Sequence, residues 1–140
     1  MADNKATVRK IEEAWTKNDL AALDQYFASD FVSHAAIPGM PQNLESGKMA
    51  HGMAMKAFPD RTTTILDLIG EGDSVAARIR VRGTNTGGAA WFGVPEGNGK
   101  KIDFESWSIY HFKNGKVSET WGMNDVLTGM IQLGSMKPPM

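Results

Sequence analysis

The sequence predicts an α+β fold: a cone-shaped, curved, mixed or antiparallel sheet packed on N-terminal helices around a central pocket, an α+β barrel. Three observations lead there. Apolar residues recur at spacings of three and four in the first part of the chain. Runs of β-branched and aromatic residues dominate after Pro59, and tight-turn signals separate those runs. A chain of 140 residues has the length of one domain, and residues 1–140 contain no internal repeat or low-complexity linker.

Each element has its own signature. Val8, Ile11 and Trp15 form one stripe of an amphipathic helix. Asn18 and Asp19 break that pattern and can cap a second helix carrying Leu20, Leu23 and Phe27. Phe31 to Ala36 reads as a short strand closed by Pro38 and Gly39. Met49, Met53 and Ala57 mark a third helical face, which stops at Phe58-Pro59-Asp60 because proline disfavours helical geometry in the residue before it. Four strands are expected at Thr62–Ile69, Ser74–Asn85, Lys101–Lys113 and Lys116–Met123, the last two joined by the hairpin signal Asn114-Gly115. A short closing helix runs from about Asp125 to Leu133 and ends at Gly134. The glycine-dense stretch from Thr84 to Lys101, with Trp91, Phe92 and Pro95, reads either as a long hairpin loop or as a flap over a pocket mouth.

Composition excludes several function classes. Net charge is −1, from 15 basic and 16 acidic side chains, and Arg78, Arg80, Arg82, Lys100 and Lys101 lie among apolar residues rather than in a run. No electrostatic footprint for nucleic acid or an anionic membrane results. With no cysteine there is no disulfide framework and no thiolate nucleophile. Met1 to Lys10 is polar and no stretch approaches a membrane span, so the expectation is a soluble, cytoplasmic protein. The glycine pattern before Lys100 and Lys101 fails as a phosphate loop, since Val94 stands where the first glycine belongs.

The chemistry-bearing residues are few. His34 ends the first predicted strand, His51 sits on a polar helix face and is expected to be exposed, and His111 lies near the end of a long strand. Their spacing offers no metal site, and no serine occupies a glycine-flanked elbow. On the long strand Glu105, Trp107, Ile109 and His111 share one side, while Phe104, Ser106, Ser108, Tyr110 and Phe112 share the other. Both sides carry aromatic rings, so alternation leaves open which one faces the cavity. Hairpin pairing puts Trp121 opposite Ile109 and Trp107, and His111 opposite Lys116 to Ser118. Asp125 has two readings, the cap of the last helix or a base whose pKa burial would raise toward the range useful for proton abstraction.

The ordered motifs resemble one family. Ala57-Phe58-Pro59-Asp60, the acidic turn Gly70-Glu71-Gly72-Asp73 entering a long strand, and Gly83-Thr84-Asn85-Thr86-Gly87 resemble those of SnoaL-like polyketide cyclases, within the nuclear transport factor 2-like superfamily. Asn114 to Trp121, then Asp125 and Gln132-Leu133-Gly134, resemble the closing signature of that family, so the likeness runs from about Val8 to Gly134. The resemblance implies a cofactor-independent enzyme, without metal or organic cofactor, that closes a ring of an aromatic polyketide ester by intramolecular aldol condensation. It implies Asp125 as the base, His111 as the residue polarising the acceptor carbonyl, and His34 as a substrate contact. Trp15, Phe58, Asn85, Trp107, Trp121 and Met123 are the expected substrate-binding residues; Asn85 replaces a frequent histidine and cannot titrate. A small hydrophobic aromatic or polyketide-like ligand and a homodimer or homotetramer are the expected partners. The competing readings are a non-catalytic small-molecule binding protein of the same fold, suited by nine methionines and four tryptophans, and a related isomerase, hydrolase or hydroxylase-type enzyme.

Overall fold

The first helix, α1 (Asn4–Thr16), begins where the Asp3 carboxylate accepts the Ala6 N–H, and it buries Val8, Ile11 and Ala14. The computed structural model describes residues 3–35 and 38–139. Helix α1 stops as Asn18 takes a left-handed φ of 56°, a conformation asparagine tolerates better than most residues. The second helix expected from Leu20 is a short 3₁₀ helix, Leu20–Gln25, capped by Asp19, and Phe27 opens a strand instead. Strand β1 therefore spans Phe27–Ser33, four residues earlier than its sequence signal at Phe31; Ala36, the expected end, lies outside the described residues.

Helix α2 (Leu44–Ala57) is capped by Asn43, whose side chain accepts from the Ser46 N–H, and it ends at Phe58 just before Pro59. Four long strands follow: β2 (Thr62–Glu71), β3 (Ser74–Thr84), β4 (Lys101–Lys113) and β5 (Lys116–Asn124). The β4–β5 turn has positive φ at both Asn114 (53°) and Gly115 (79°), the two-residue geometry that asparagine–glycine favours. Strand order is β1-β5-β4-β3-β2, antiparallel throughout except for the parallel β1–β5 pair, so the sheet is mixed as expected. Helix α3 (Val126–Leu133) closes the chain and ends at Gly134, with φ 86°.

Burial resolves the two faces of the sheet. Val75, Ala77, Ile79 and Val81 of β3, Phe104, Tyr110 and Phe112 of β4, and Val117 of β5 pack with Val8 and Ile11 into one core. Arg78, Arg80, Trp107, Ile109, Trp121 and Met123 therefore point away from the helices.

The segment after β3 is pinned at several points. Asn85 is fully buried; its amide donates to the Glu96 carbonyl (3.3 Å) and to Asn98 (3.1 Å), and its oxygen accepts from the Gly88 N–H (2.9 Å). A Cβ on Gly87 would lie 1.9 Å from the Lys56 carbonyl oxygen, so only glycine fits there. Phe92 is buried against Phe58 and Phe104, and Gly129 of α3 packs directly on its ring. This is the loop reading rather than a flap. The expectation that Asn85 contacts substrate is corrected: it bonds loop backbone and has no exposed surface. Asn85→Ala would remove the three hydrogen bonds that hold the loop, each worth roughly 0.5–1.5 kcal/mol. Urea unfolding should show a loss of about 2–4 kcal/mol with the secondary structure of the sheet retained.

Candidate functional site

The predicted site residues divide between the two faces of the sheet. On the outer face, Trp107, Trp121, Met123 and Asp125 line an open hollow of about 1030 Å³. Met123 is 81% exposed and Trp107 61%. Arg78 donates to Asp67 (2.8 Å) and Glu105 (3.1 Å), and Arg80 clasps both oxygens of Asp103 at 2.8 and 2.6 Å. Trp15 and Phe58 lie on the helix side: Trp15 lies beside His51 with the ring planes tilted by 48°, and Phe58 meets Trp91 and Phe92 edge to face.

His34 and His111 do come together, around Trp121. The His34 ring stacks on Trp121 at 4.8 Å and 14°, and His111 meets the same indole edge-on at 4.7 Å. His34 Nε2 lies 2.7 Å from Glu119, so the imidazole is already paired. His111 pairs with Glu119 rather than with Lys116 to Ser118, because a bulge sets Phe112 opposite Val117 and leaves Ser118 as the extra residue.

Asp125 is elsewhere. Its N–H bonds the Glu105 carbonyl (3.1 Å), six residues along β4 from His111, which is roughly 20 Å of extended strand. The carboxylate accepts from the Thr128 N–H (3.1 Å) and hydroxyl (2.6 Å), capping α3, and those two bonds hold its pKa below the ordinary aspartate value. The expected rise through burial is thus corrected, since the group is exposed and its charged form is the one stabilised. Asp103 and Glu105 are also shifted down, by their bonds to Arg80 and to Trp107 and Arg78 respectively. Every perturbed carboxylate of the outer hollow favours its ionised form.

The helix side has the opposite electrostatics. The Tyr110 hydroxyl donates to the Glu12 carboxyl at 2.6 Å. Burial raises the Glu12 pKa, with the Tyr110 bond and the Arg61 charge opposing it. Desolvation first, then the Glu12 charge, drive the phenol well above its ordinary value. Arg61 precedes β2 with the inward parity of Thr63, which pairs with buried Val81. Its guanidinium makes no side-chain hydrogen bond and no ion pair within 4.0 Å among the described residues. His51, expected to be exposed, is 8% exposed, and burial followed by the Arg61 charge lowers its pKa to about 4. Glu12, Trp15 and Arg61 keep part of their surface accessible, so the cluster is not sealed.

Sequence reasoning missed Glu12, Tyr110 and Arg61. A signal existed for the first: Glu12 falls four residues after Val8 and three before Trp15, on the apolar stripe itself. Among the described residues, no three His, Cys, Asp or Glu side chains converge as metal ligands, and no helix is long and apolar enough to cross a membrane.

This cone of helices and mixed sheet is the nuclear transport factor 2-like fold. Residues 5–133 match the family model of SnoaL-like polyketide cyclase, and the chain belongs to that family. Wild-type IdmH of Streptomyces antibioticus, a candidate polyketide cyclase, is similar at 28% identity and TM-score 0.83, over 94% of this chain and 99% of that one. A candidate polyketide cyclase from Bacillus cereus ATCC 10987 shares 32% identity at TM-score 0.77, over 91% and 78% of the two chains. AclR of Streptomyces galilaeus, a candidate hydroxylase, matches the fold at TM-score 0.83 and 24% identity over 97% and 83%. No curated protein matches the chain.

The two buried groups make opposite pH demands on stability. Below the unfolded His51 value of 6.5 the unfolded chain takes up a proton that the folded chain refuses until about pH 4, so stability falls as pH drops across that window. For Glu12 the folded chain holds its proton longer than the unfolded one, so stability falls as pH rises from 4.5 through the raised value. Thermal melts of His51→Phe should lose the decline between pH 6.5 and 4 that the parent protein shows.

Proposed function

We propose that the chain is a cofactor-independent cyclase-type enzyme that closes a ring on an aromatic polyketide ester by intramolecular aldol condensation, with Glu12 rather than Asp125 as the base. One observation carries this reading: a partly buried carboxyl with a raised pKa lies 2.6 Å from the hydroxyl of Tyr110. A base for abstraction next to a carbonyl needs a pKa close to working pH, and the outer-face carboxylates are shifted the wrong way.

The chemistry balances without an oxidant or a leaving group. Glu12 takes a proton from the carbon next to a ketone, and the electron pair moves to the ketone oxygen. As Glu12 becomes protonated, the Tyr110 hydroxyl is released to donate to that oxygen, with Arg61 as a second, cationic donor. The enolate carbon then bonds to a second carbonyl carbon of the same substrate. The new alkoxide recovers the proton from Glu12, leaving a product isomeric with the substrate.

Alpha-proton exchange in D₂O, followed by NMR on an anthraquinone methyl ester bearing a ketone side chain, tests the assignment. Glu12→Gln should slow exchange by about 10²–10⁴-fold. Asp125→Ala should exchange at close to the parent rate while losing about 1 kcal/mol of stability with its cap. Tyr110→Phe should move the pH dependence of the rate upward, because the Tyr110 bond holds the Glu12 pKa down. Exchange that survives in Glu12→Gln and vanishes in Asp125→Ala would return the role to Asp125.

The outer face is proposed to meet a second copy of the chain. Its exposed Ile69, Trp107, Ile109 and Met123 flank a row, Asp67–Arg78–Glu105, that alternates in sign across three strands, so a copy related by a two-fold passing between adjacent charges of the row presents opposite charges. Light scattering should give a dimer or tetramer mass, reduced to the monomer in a Trp107→Glu, Met123→Glu double variant.

A further inference from the structure

Glu12 keeps part of its surface open, but Tyr110, whose hydroxyl bonds it, is 5% exposed. A pocket that holds a small molecule has a volume of about 300–1,000 Å³. Hollows of that order, about 1030 Å³ on the outer face and about 430 Å³ against the segment from Gly93 to Lys100, are lined by neither Glu12 nor Tyr110. A ring system therefore seats itself at Glu12 once an element on the helix side has moved.

Of the three α-helices, α2 is the one held loosely enough to move. Helix α1 is tied to the sheet by the Tyr110–Glu12 bond and by Thr16, whose hydroxyl meets that of Thr63. Helix α3 is tied by Gln132, which exchanges two 2.8 Å bonds with the Asp103 backbone, and by Gly129 against the Phe92 ring. In α2 only Ser46, His51 and Ala57 of 14 residues are buried, while Met49 is 62% exposed. Gly47 and Gly52 lie in its interior, where glycine weakens a helix because it loses the most backbone freedom on folding. Its ion pair to the rest of the fold, Lys48 with Asp24 at 2.7 Å, leaves the carboxylate 65% exposed, and pairs of that kind hold weakly.

The two ends of α2 are anchored differently. At the trailing end the Ala57 carbonyl accepts the N–H groups of Thr86 and Gly87 at 3.1 Å each, and Phe58 is buried in the core. That end can pivot but not lift. Ahead of the leading end, the Gln42 carbonyl accepts the Ser33 N–H at 3.0 Å, and beside that bond His34 grips β5. The His34 N–H donates to the Thr120 carbonyl at 2.8 Å, its Nε2 lies 2.7 Å from Glu119, and its ring stacks on Trp121. Ala35 lies against the opposite face of the same strand: a Cβ on Gly122 would stand 3.1 Å from the Ala35 Cβ and 3.2 Å from the Ser108 Oγ. His34 and Ala35 thus hold β5 from both faces where the chain leaves β1 toward α2.

We infer that α2 is a lid over Glu12 and Tyr110 that pivots at Ala57–Phe58, and that His34, seated between Trp121 and Glu119, is the latch holding its leading end closed. His34 is a positioning residue: it touches β5 and acts on the site through α2. Breaking its bond to Glu119, or unseating Ala35 from Gly122, raises the open fraction and leaves Glu12 itself unaltered. The purpose of the lid rests on the helix-side reading of the site, but its opening is measured without any substrate.

His51 reports the state of the lid, because it lies on α2 beside Trp15 and is 8% exposed when the helix is down. Diethyl pyrocarbonate, which modifies accessible imidazoles, is followed at His51 by peptide mass spectrometry. Amide hydrogen exchange is read in parallel over Leu44–Ala57 and over β4. In the parent protein α2 should exchange faster than β4, and His51 should react slowly. His34→Ala and Gly122→Ala should each speed both His51 modification and α2 exchange by about five- to tenfold, the equivalent of one hydrogen bond, with β4 unchanged. His34→Phe, which keeps a ring on Trp121 and loses the Glu119 bond, should fall between the parent and His34→Ala. Unchanged His51 reactivity and α2 exchange in both His34→Ala and Gly122→Ala would overturn the inference. So would an acceleration of equal size in β4, the mark of a merely structural loss. Alpha-proton exchange that survives in Glu12→Gln, with the lid accelerations present, would instead remove Glu12 as the base and leave the lid and its latch standing.

Discussion

A hydrogen bond of 2.6 Å from Tyr110 to Glu12 joins the first helix to the middle of the sheet, across 98 positions of sequence. Exposed, such a bond would be worth little, since water competes for both partners. Here burial keeps the carboxyl from ionising at its ordinary pH, with the bond opposing that rise, while burial, the Glu12 charge and the bond together hold the phenol neutral. The bond also fixes where α1 lies on the sheet. Thr16 meets Thr63 at 2.7 Å one turn further along, and Lys5 packs over Gly70 at the other end. Trp15 is placed by the same docking, and with it the site of His51.

From that constraint follows the division of the molecule into two electrostatic worlds. On the outer face carboxylates have arginine, tryptophan or hydroxyl partners and solvent close by, so their charged forms are favoured. On the helix side desolvation leads the causes for Glu12, His51, Arg61 and Tyr110 alike, and it moves each toward its neutral form. A reaction that must take a proton from carbon and return it to oxygen belongs with the second set. The aromatic group of His34, Trp121 and His111 on the outer face is closely packed, but its one carboxylate, Glu119, is already paired with His34.

Membership of the SnoaL-like family explains the scaffold better than it explains the residues on it. A cone of sheet and helices can carry its acid–base pair on the sheet, on a helix, or between them, and the shape alone does not choose. In this chain α1 supplies a carboxylate on its apolar stripe, and β4 supplies the phenol that meets it. The strand-end residues Asp125 and Asn85 meanwhile serve the fold, one capping α3 and the other pinning the long loop. Both uses satisfy backbone groups that would otherwise be stranded.

What the sequence by itself determined was everything that depends on neighbours close in the chain. The stripe of α1, the stop at Phe58-Pro59, the Asn114-Gly115 hairpin and the cap at Asp125 all arise from local geometry, and the structure has each of them. The alternation along β4 was equally legible, separating Tyr110 from His111. Yet alternation gives only relative sides; which side is inside depends on where the helices dock, and that is a long-range packing choice. The 3₁₀ helix at Leu20–Gln25 and the bulge at Ser118 likewise answer to the parallel pairing of β1 with β5, invisible to a local pattern. So the tertiary structure alone decided that Tyr110 faces Glu12, that His51 is buried, and that Asp125 meets β4 at Glu105, six strand positions from His111.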